Sequence, residues 1–182
     1  MDELQALVAS CEKCSLAATR TRTVFGEGAT GCSVMFVGEG PGAEEDATGR
    51  PFVGPAGKLL DKMIGAMGLV REETYIANVV KCRPPGNANP APDQSGACFP
   101  YLERQIRIVR PRFIVALGKV AALALTGRSD AIVRQRGRWH KWGDIPFVVT
   151  YHPAALLRDP SRKRLTWQDL QMVMGRLDRK AT

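Results

Sequence analysis

The chain has 182 residues, of which 45% are hydrophobic and 24% are charged, which is the composition of one soluble globular domain spanning residues 1–182. No apolar run reaches the roughly 18 residues that a membrane span needs, and the first residues lack the basic and apolar segments of a signal peptide, so we expect a cytoplasmic protein without a membrane partner. Lys and Arg outnumber Asp and Glu by 26 to 18, for a net charge of +8. This excess favours a nucleic acid as partner, although many basic proteins bind none.

Apolar patterning predicts strands that alternate with helices along the chain. A short helix over residues 3–10 precedes the first cysteines, and a proline-rich loop covers residues 81–92. The predicted strands lie at residues 33–37, 75–80, 112–117 and 145–150, and the longer helices at 56–68, 93–110, 119–126 and 165–177. This order predicts an α/β fold: a three-layer α/β/α sandwich with a central, mostly parallel, four-stranded sheet.

Polar residues follow three of these strands where the strands end. Glu39 follows the first strand, Asn78 lies near the end of the second, and His152 follows the fourth. Because ligands of such sheets bind beyond the carboxyl ends of the strands, we expect these residues to share one site.

The glycines at positions 38, 40 and 42 superficially resemble a dinucleotide fingerprint. The fingerprint requires a glycine that opens a helix at once and an acid about 20 residues further on. Here Pro41 and three acidic residues follow, and those acids would repel a pyrophosphate. The glycines are better suited to bringing backbone amides close to a neutral planar ligand.

The cysteine spacing indicates a metal centre. Cys11 and Cys14 form a C-x2-C pair, Cys82 and Cys98 lie on either side of the predicted loop, and Cys32 is left over. Four thiolates can hold either zinc or an iron–sulfur cluster, and the spacing alone does not separate the two. Buried free cysteines remain the alternative to a metal.

Several motifs in the same order resemble those of the family 4 uracil-DNA glycosylases, the iron–sulfur branch of that superfamily. They are GEGPGAEED at 38–46, TGRPFVGPAG at 48–57, YIANVVKCRPP at 75–85, HPAALLR at 152–158 and LTW at 165–167. The resemblance covers nearly the whole chain. It implies an enzyme that flips uracil out of DNA and hydrolyses the N-glycosidic bond, leaving an abasic site for base excision repair.

The resemblance also implies roles for individual residues. Phe52 would stack on the flipped uracil and Asn78 would read its Watson–Crick edge. The remaining residues around the base would be Glu39, Gly40, Gly42 and His152. His152 would also act in catalysis by donating to uracil O2, and Glu45 and Asn87 would position or activate the attacking water.

Further residues are implied for DNA and metal binding. Leu156 would wedge into the duplex, and Arg158, Arg162 and Lys163 would pair with phosphates. The resemblance assigns a 4Fe-4S cluster to Cys11, Cys14, Cys82 and Cys98. We expect a monomer that accepts uracil in single- and double-stranded DNA.

Two departures and one rival interpretation remain. Ala154 stands where the family usually has serine, which puts one polar contact in doubt. The loop after Asn78 lacks the histidine with which a related branch bonds covalently to DNA, so we expect turnover without a trapped adduct. The rival is a non-catalytic, metal-stabilised DNA protein that recognises uracil or damage. It would not need Glu45, Asn87 or His152.

Overall fold

The computed structural model describes residues 1–177 and contains eight α-helices and six strands within them. The helices are α1 Asp2–Ala9, α2 Ala43–Thr48, α3 Pro55–Ala66, α4 Pro92–Val109, α5 Gly118–Thr126, α6 Ile132–Gln135, α7 Pro153–Arg158 and α8 Lys163–Leu177. The strands are β1 Glu27–Gly28, β2 Val34–Gly38, β3 Tyr75–Asn78, β4 Phe113–Leu117, β5 Trp139–Trp142 and β6 Ile145–Thr150. None of the helices in this part of the chain is both long and apolar enough to cross a membrane.

All six strands form one sheet in the order β1-β3-β2-β4-β6-β5. The four central strands are parallel and are the four that the sequence predicts, whereas β1 and β5 pair antiparallel at the two edges. The prediction of a four-stranded sheet is therefore wrong in its strand count. β1 has only two residues, and β5 is incompletely buried in a hairpin with β6, so neither carries the continuous apolar run of a central strand.

Helices cover both faces of the sheet, which confirms the three-layer α/β/α architecture. Alternate residues of β2 show how the two faces are separated: Met35 and Val37 pack with buried residues of α1, α4 and α5. Val34 and Phe36 pack on the other face with buried residues of α3, α7 and α8. Strands buried on both faces explain why their sequences are uniformly apolar.

The strand register brings the predicted polar residues to one edge of the sheet. Gly38 at the end of β2 lies opposite Asn78 at the end of β3. β4 ends at Leu117 next to Thr150 of β6, two residues before His152. Gly118, in the left-handed region at φ +88°, lies so close to His152 that an added Cβ would be only 3.0 Å from the histidine Cβ. A glycine at this position therefore allows the loop with His152 to pack against the end of β4.

Candidate active site and cysteine cavity

A cavity of about 440 Å³ opens at the carboxyl edge of the sheet. All eight residues predicted to act in catalysis or base binding line it: Glu39, Gly40, Gly42, Glu45, Phe52, Asn78, Asn87 and His152. The structure thus brings together residues from the ends of three strands, β2, β3 and β6, and from the loops that follow them, which is the convergence expected at the carboxyl ends of parallel strands.

Asn78 presents a free hydrogen-bond acceptor at the wall of this cavity. Its side chain is 1% exposed, and its Oδ1 is one of two buried side-chain polar atoms in residues 1–177 that have no hydrogen-bond partner. Gly38 makes room for it, because a Cβ at Gly38 would collide with the Asn78 side chain and the Phe52 ring. A buried acceptor without a partner is costly, which indicates that a water or a ligand in the cavity supplies the missing donor.

Phe52 is held in the left-handed region at φ +51°, where a residue with a side chain is strained. Its ring is buried, and the centre of the ring lies 5.5 Å from that of His152. Arg71 donates to the carbonyl oxygens of Pro51 at 2.6 Å and Phe52 at 3.2 Å. Gly57 packs so closely beneath the Phe52 carbonyl that any Cβ would collide with it. These contacts fix an aromatic ring beside the histidine.

His152 is neutral at physiological pH. The pKa of its ring is lowered to about 4, first by burial and then by the positive charge of Arg158, while Glu45 opposes the shift. The Nδ1 atom accepts a hydrogen bond from the backbone N–H of Ala154 at 3.2 Å, at the start of α7. Because Nδ1 is the acceptor, the single ring proton lies on Nε2. This hydrogen bond to His152 is made by the backbone of residue 154, where the chain has alanine and the family usually has serine.

Glu45 connects two loops of the cavity wall. Its Oε1 accepts from the backbone N–H groups of Val53 at 2.8 Å and Gly54 at 2.9 Å, and its Oε2 accepts from Gly42 at 3.1 Å. A carboxylate offers about four lone-pair positions, so these bonds leave one free. The carboxylate is therefore fixed in place and can still accept from a water.

Asn87 and Glu39 complete the cavity wall. Asn87 is exposed at the rim, with φ +55°, and its Oδ1 accepts from the Arg83 guanidinium at 2.7 Å. Burial raises the pKa of Glu39, and nearby Arg158 opposes that shift. The cavity thus combines a mostly buried carboxyl group, a neutral histidine and an amide at its mouth.

The residues predicted to bind DNA fall into three environments. Arg158 lines the cavity. Arg162 is paired with Asp159 at 2.7 Å and lies over the Tyr151 ring, and Lys163 is exposed at the start of α8.

Leu156 is only 1% exposed and packs in the core beneath the sheet, so the prediction that it wedges into DNA is wrong. The adjacent Leu157, 48% exposed, is the leucine of α7 that faces solvent. The two leucines can be distinguished only once the phase of α7 is known.

A second cavity is lined by all four cysteines predicted as metal ligands, Cys11, Cys14, Cys82 and Cys98. The Arg20 guanidinium donates to Cys82 Sγ at 3.3 Å, and the backbone N–H of Lys81 donates to Cys98 Sγ at 3.2 Å. Within residues 1–177, no three His, Cys, Asp or Glu side chains surround a point that one metal ion could occupy. The thiols instead share the wall of a cavity, and donors to sulfur suit thiolate ligands.

Cys32 lies apart from this cavity, in the core next to the sheet. Burial raises the pKa of its thiol to about 11. The fifth cysteine is thus a small apolar core residue, separate from the four that line the cavity.

Sequence reasoning missed two arginines that support these sites. Arg71 holds the backbone around Phe52, and Arg20 contacts both the Cys11 carbonyl and the Cys82 sulfur. Both act on segments that are distant in the sequence, so no local pattern marks them. Gly57 offered a signal, because a glycine in the first turn of a helix indicates close packing.

Comparison with known proteins agrees with this arrangement. The family model described as the uracil DNA glycosylase superfamily matches residues 25–171. A type-4 uracil-DNA glycosylase of Sulfurisphaera tokodaii is 43% identical to the chain and aligns over 95% of it and 84% of the relative. Enzymes with the same name are 42% identical in Pyrobaculum aerophilum, over 96% of the chain and 93% of the relative, and 43% identical in Thermotoga maritima, over 94% and 91%. With this identity over nearly its whole length, the chain belongs to the type-4 uracil-DNA glycosylases, the family that its motifs resemble.

Proposed function

We propose that this protein is a monofunctional hydrolase that excises uracil from DNA, leaving an abasic site for repair. The observation that carries the proposal is the unpartnered, buried Oδ1 of Asn78 in a cavity that also holds a fixed aromatic ring and a neutral histidine. A base inside a duplex cannot reach such a cavity, so the target nucleotide must be flipped out of the stack.

Base recognition follows from the hydrogen-bonding pattern of uracil. Asn78 Oδ1 accepts from uracil N3–H, and its amide nitrogen donates to O4, while Phe52 stacks on the ring. Cytosine presents the opposite pattern at these two positions, so it would leave buried groups unpaired. The backbone at Gly40 and Gly42 can approach the base closely, and Glu39 would oppose a 5-methyl group and so exclude thymine.

Cleavage of the glycosidic bond depends on stabilising uracil as an anionic leaving group. The proton on His152 Nε2 can donate to O2, where negative charge develops in the transition state. The free lone pair of Glu45 can orient the attacking water, and its negative charge opposes the positive charge that forms on the sugar. Asn87 at the rim can hold the same water from the other side.

We propose that basic residues of α7 and of the segment that follows it bind the DNA backbone. Arg158, Arg162 and Lys163 would contact phosphates, which supports binding of both single- and double-stranded substrates. We infer that Leu157, rather than Leu156, is the leucine available to enter the space left by the flipped base.

We further propose that Cys11, Cys14, Cys82 and Cys98 hold a 4Fe-4S cluster. Four thiols that line one cavity can together hold a metal centre, and the resemblance to an iron–sulfur family favours a cluster over a single zinc ion. When bound, the cluster would supply iron–thiolate bonds that join the N-terminal segment to the loop after β3 and to α4. Hydrolysis requires no electron transfer, so we assign the cluster a structural task.

Other parts of the proposal concern the protein as a whole. We infer that the chain is one domain, works as a monomer, and acts in the cytoplasm of a prokaryotic-type cell, where its DNA substrate is found. The single continuous sheet supports the first of these inferences.

The test is cleavage of an oligonucleotide with one uracil, followed by hot alkali to break any abasic site. We expect scission at uracil alone, strongly slowed in His152→Ala and Asn78→Ala. His140→Ala is the matched control, since His140 lies on the edge strand β5, where its ring stacks on Phe147. Denaturing gels of the same reactions should show no protein–DNA adduct.

The remaining outcomes separate the rival interpretation from failure. Tight binding of uracil-containing DNA without scission, by protein with an intact cluster, would make the chain a non-catalytic reader. Absence of both scission and binding would refute the proposed function.

A further inference from the structure

The side chain of Lys81 is fully buried although it carries an amino group. Its side chain is 1% exposed, and its ammonium contacts two neutral oxygens, the Asn78 carbonyl at 2.8 Å and Gln105 Oε1 at 2.5 Å. Burying an ammonium group costs free energy unless its hydrogen bonds are well formed. A lysine retained there without a contacting carboxylate indicates a specific task.

The geometry of the Asn78–Val79 peptide shows what this ammonium group does. The N–H of Val79 donates to the Gly38 carbonyl at 3.0 Å, on the side of β2. In a planar trans peptide the carbonyl points the opposite way, so the Asn78 carbonyl points away from β2. The neighbouring strand on that side, β1, pairs only with Tyr75 and Ile76. The Lys81 ammonium therefore supplies the donor that β1 does not reach.

Lys81 is itself held from several directions. Its N–H donates to Cys98 Sγ at 3.2 Å, and its carbonyl accepts from Val24 at 2.7 Å. Its acceptor Gln105, on α4, donates in turn to the Phe25 carbonyl at 2.9 Å and to the Tyr75 hydroxyl at 3.2 Å. The Lys81 ammonium group thus connects the end of β3 to α4 and to the wall of the cysteine cavity.

We propose that Lys81 is a positioning residue for base recognition: its ammonium group fixes the Asn78–Val79 peptide and so holds the Asn78 side chain where it can read uracil. The inference rests on the proposed function. It assigns to the proposed cluster a consequence in the active site, because the residue that bonds to Cys98 through its backbone bonds to Asn78 through its side chain.

A double-mutant cycle tests the proposal through single-turnover excision of uracil by saturating enzyme. Lys81→Met removes the donor and keeps an unbranched apolar side chain. We expect it to lower the excision rate about 10- to 100-fold, the scale for misplacing a group at the reacting centre, with little change in the enzyme concentration that saturates the rate. In an Asn78→Ala background, the same change should lower the rate less than about twofold, because the side chain that Lys81 positions is gone.

Lys62→Met, an exposed lysine on α3, is the matched control and should leave the rate unchanged. Cluster absorbance near about 400 nm and thermal unfolding are recorded for each variant, to establish that folded, loaded protein is compared. If Lys81→Met does not fold, Lys81→Gln keeps an N–H donor without the charge and enters the same cycle, with a smaller loss expected.

Two results would overturn the inference. One is an equal fold-loss in both backgrounds, which would mean a general structural role, and the other is no loss in loaded Lys81→Met protein. Either result counts only if the unsubstituted protein excises uracil. If the unsubstituted protein has no activity, the proposed function is refuted instead.

Discussion

The ring of His152 is partly buried near the positive charge of Arg158, and its pKa of about 4 is well below the ordinary 6.5. Because the neutral ring is the form that the proposed mechanism uses, the excision rate should stay constant as the pH falls from 7 to about 5.5 and decline only towards pH 4. Arg158→Met removes a positive charge, so the pKa of His152 should rise and the acid limb should move to higher pH. Single-turnover rates across this range, with saturating enzyme, are the measurement.

Two controls accompany that pH profile. Arg134→Met, an exposed arginine on α6, should leave the acid limb in place. Glu39→Gln removes the other cavity group with a shifted pKa, so a limb that persists in this variant does not belong to Glu39. An acid limb centred near pH 6.5 in the parent protein would contradict the lowered pKa of His152.

Leu156 and Leu157 are adjacent but should behave in opposite ways. Leu156→Ala leaves a cavity in the core and should lower the free energy of unfolding by about 2–5 kcal/mol. Leu157→Ala removes an exposed side chain and should change it by less than about 0.5 kcal/mol. Denaturant unfolding of the two variants measures the contrast. Equal destabilisation by the two substitutions would contradict the orientation of α7, in which Leu156 faces the core and Leu157 faces solvent.

The segment between α2 and α3 holds Phe52 in a strained backbone conformation, and Arg71 is the side chain that fixes it. Arg71→Met should lower the uracil excision rate at least about tenfold, since the aromatic ring loses its fixed position. Arg50 is the matched control, because it pairs with the same Glu27 but is exposed and makes no bond to the Phe52 or Pro51 carbonyl. Arg50→Met should change the rate less than about twofold. Similar losses in both variants would assign the effect to the Glu27 ion pairs instead.

Elements with a buried apolar pattern were predictable, and short or edge elements were not. The four central strands and the helices α3, α4, α5 and α8 lie within a few residues of their predicted positions. The six-residue helices α2 and α7 were missed, because each covers fewer than two turns and shows no periodicity. The error at Leu156 follows directly, since only a helix over Pro153–Arg158 decides which leucine faces the core.

At the scale of the whole molecule, chain order and motif resemblance predicted which residues meet in the cavity, because parallel strands deliver their carboxyl ends to one edge. They did not predict how those residues are supported. Arg71, Arg20 and Lys81 each bond to a backbone carbonyl or a sulfur, at separations that run from three residues for Lys81 and Asn78 to 62 for Arg20 and Cys82. Any chain position offers a carbonyl, so such contacts leave no pattern of residue types for sequence reasoning to detect.

The four cysteines that line the second cavity come from the N-terminal segment, the loop after β3 and α4. Cys82→Ala should abolish absorbance near about 400 nm and lower the free energy of unfolding by at least about 2 kcal/mol, because the bond that ties the loop after β3 to the N-terminal segment is lost. Cys32→Ala is the matched control: this cysteine is equally buried but lies outside the cavity, so the absorbance should remain and the loss of stability should stay near 1 kcal/mol. Retained absorbance in Cys82→Ala, or its loss in Cys32→Ala, would show that the cluster has a different set of ligands. Loss of absorbance together with loss of uracil excision, while DNA binding persists, is the result expected if the proposed cluster supports the active site through Lys81.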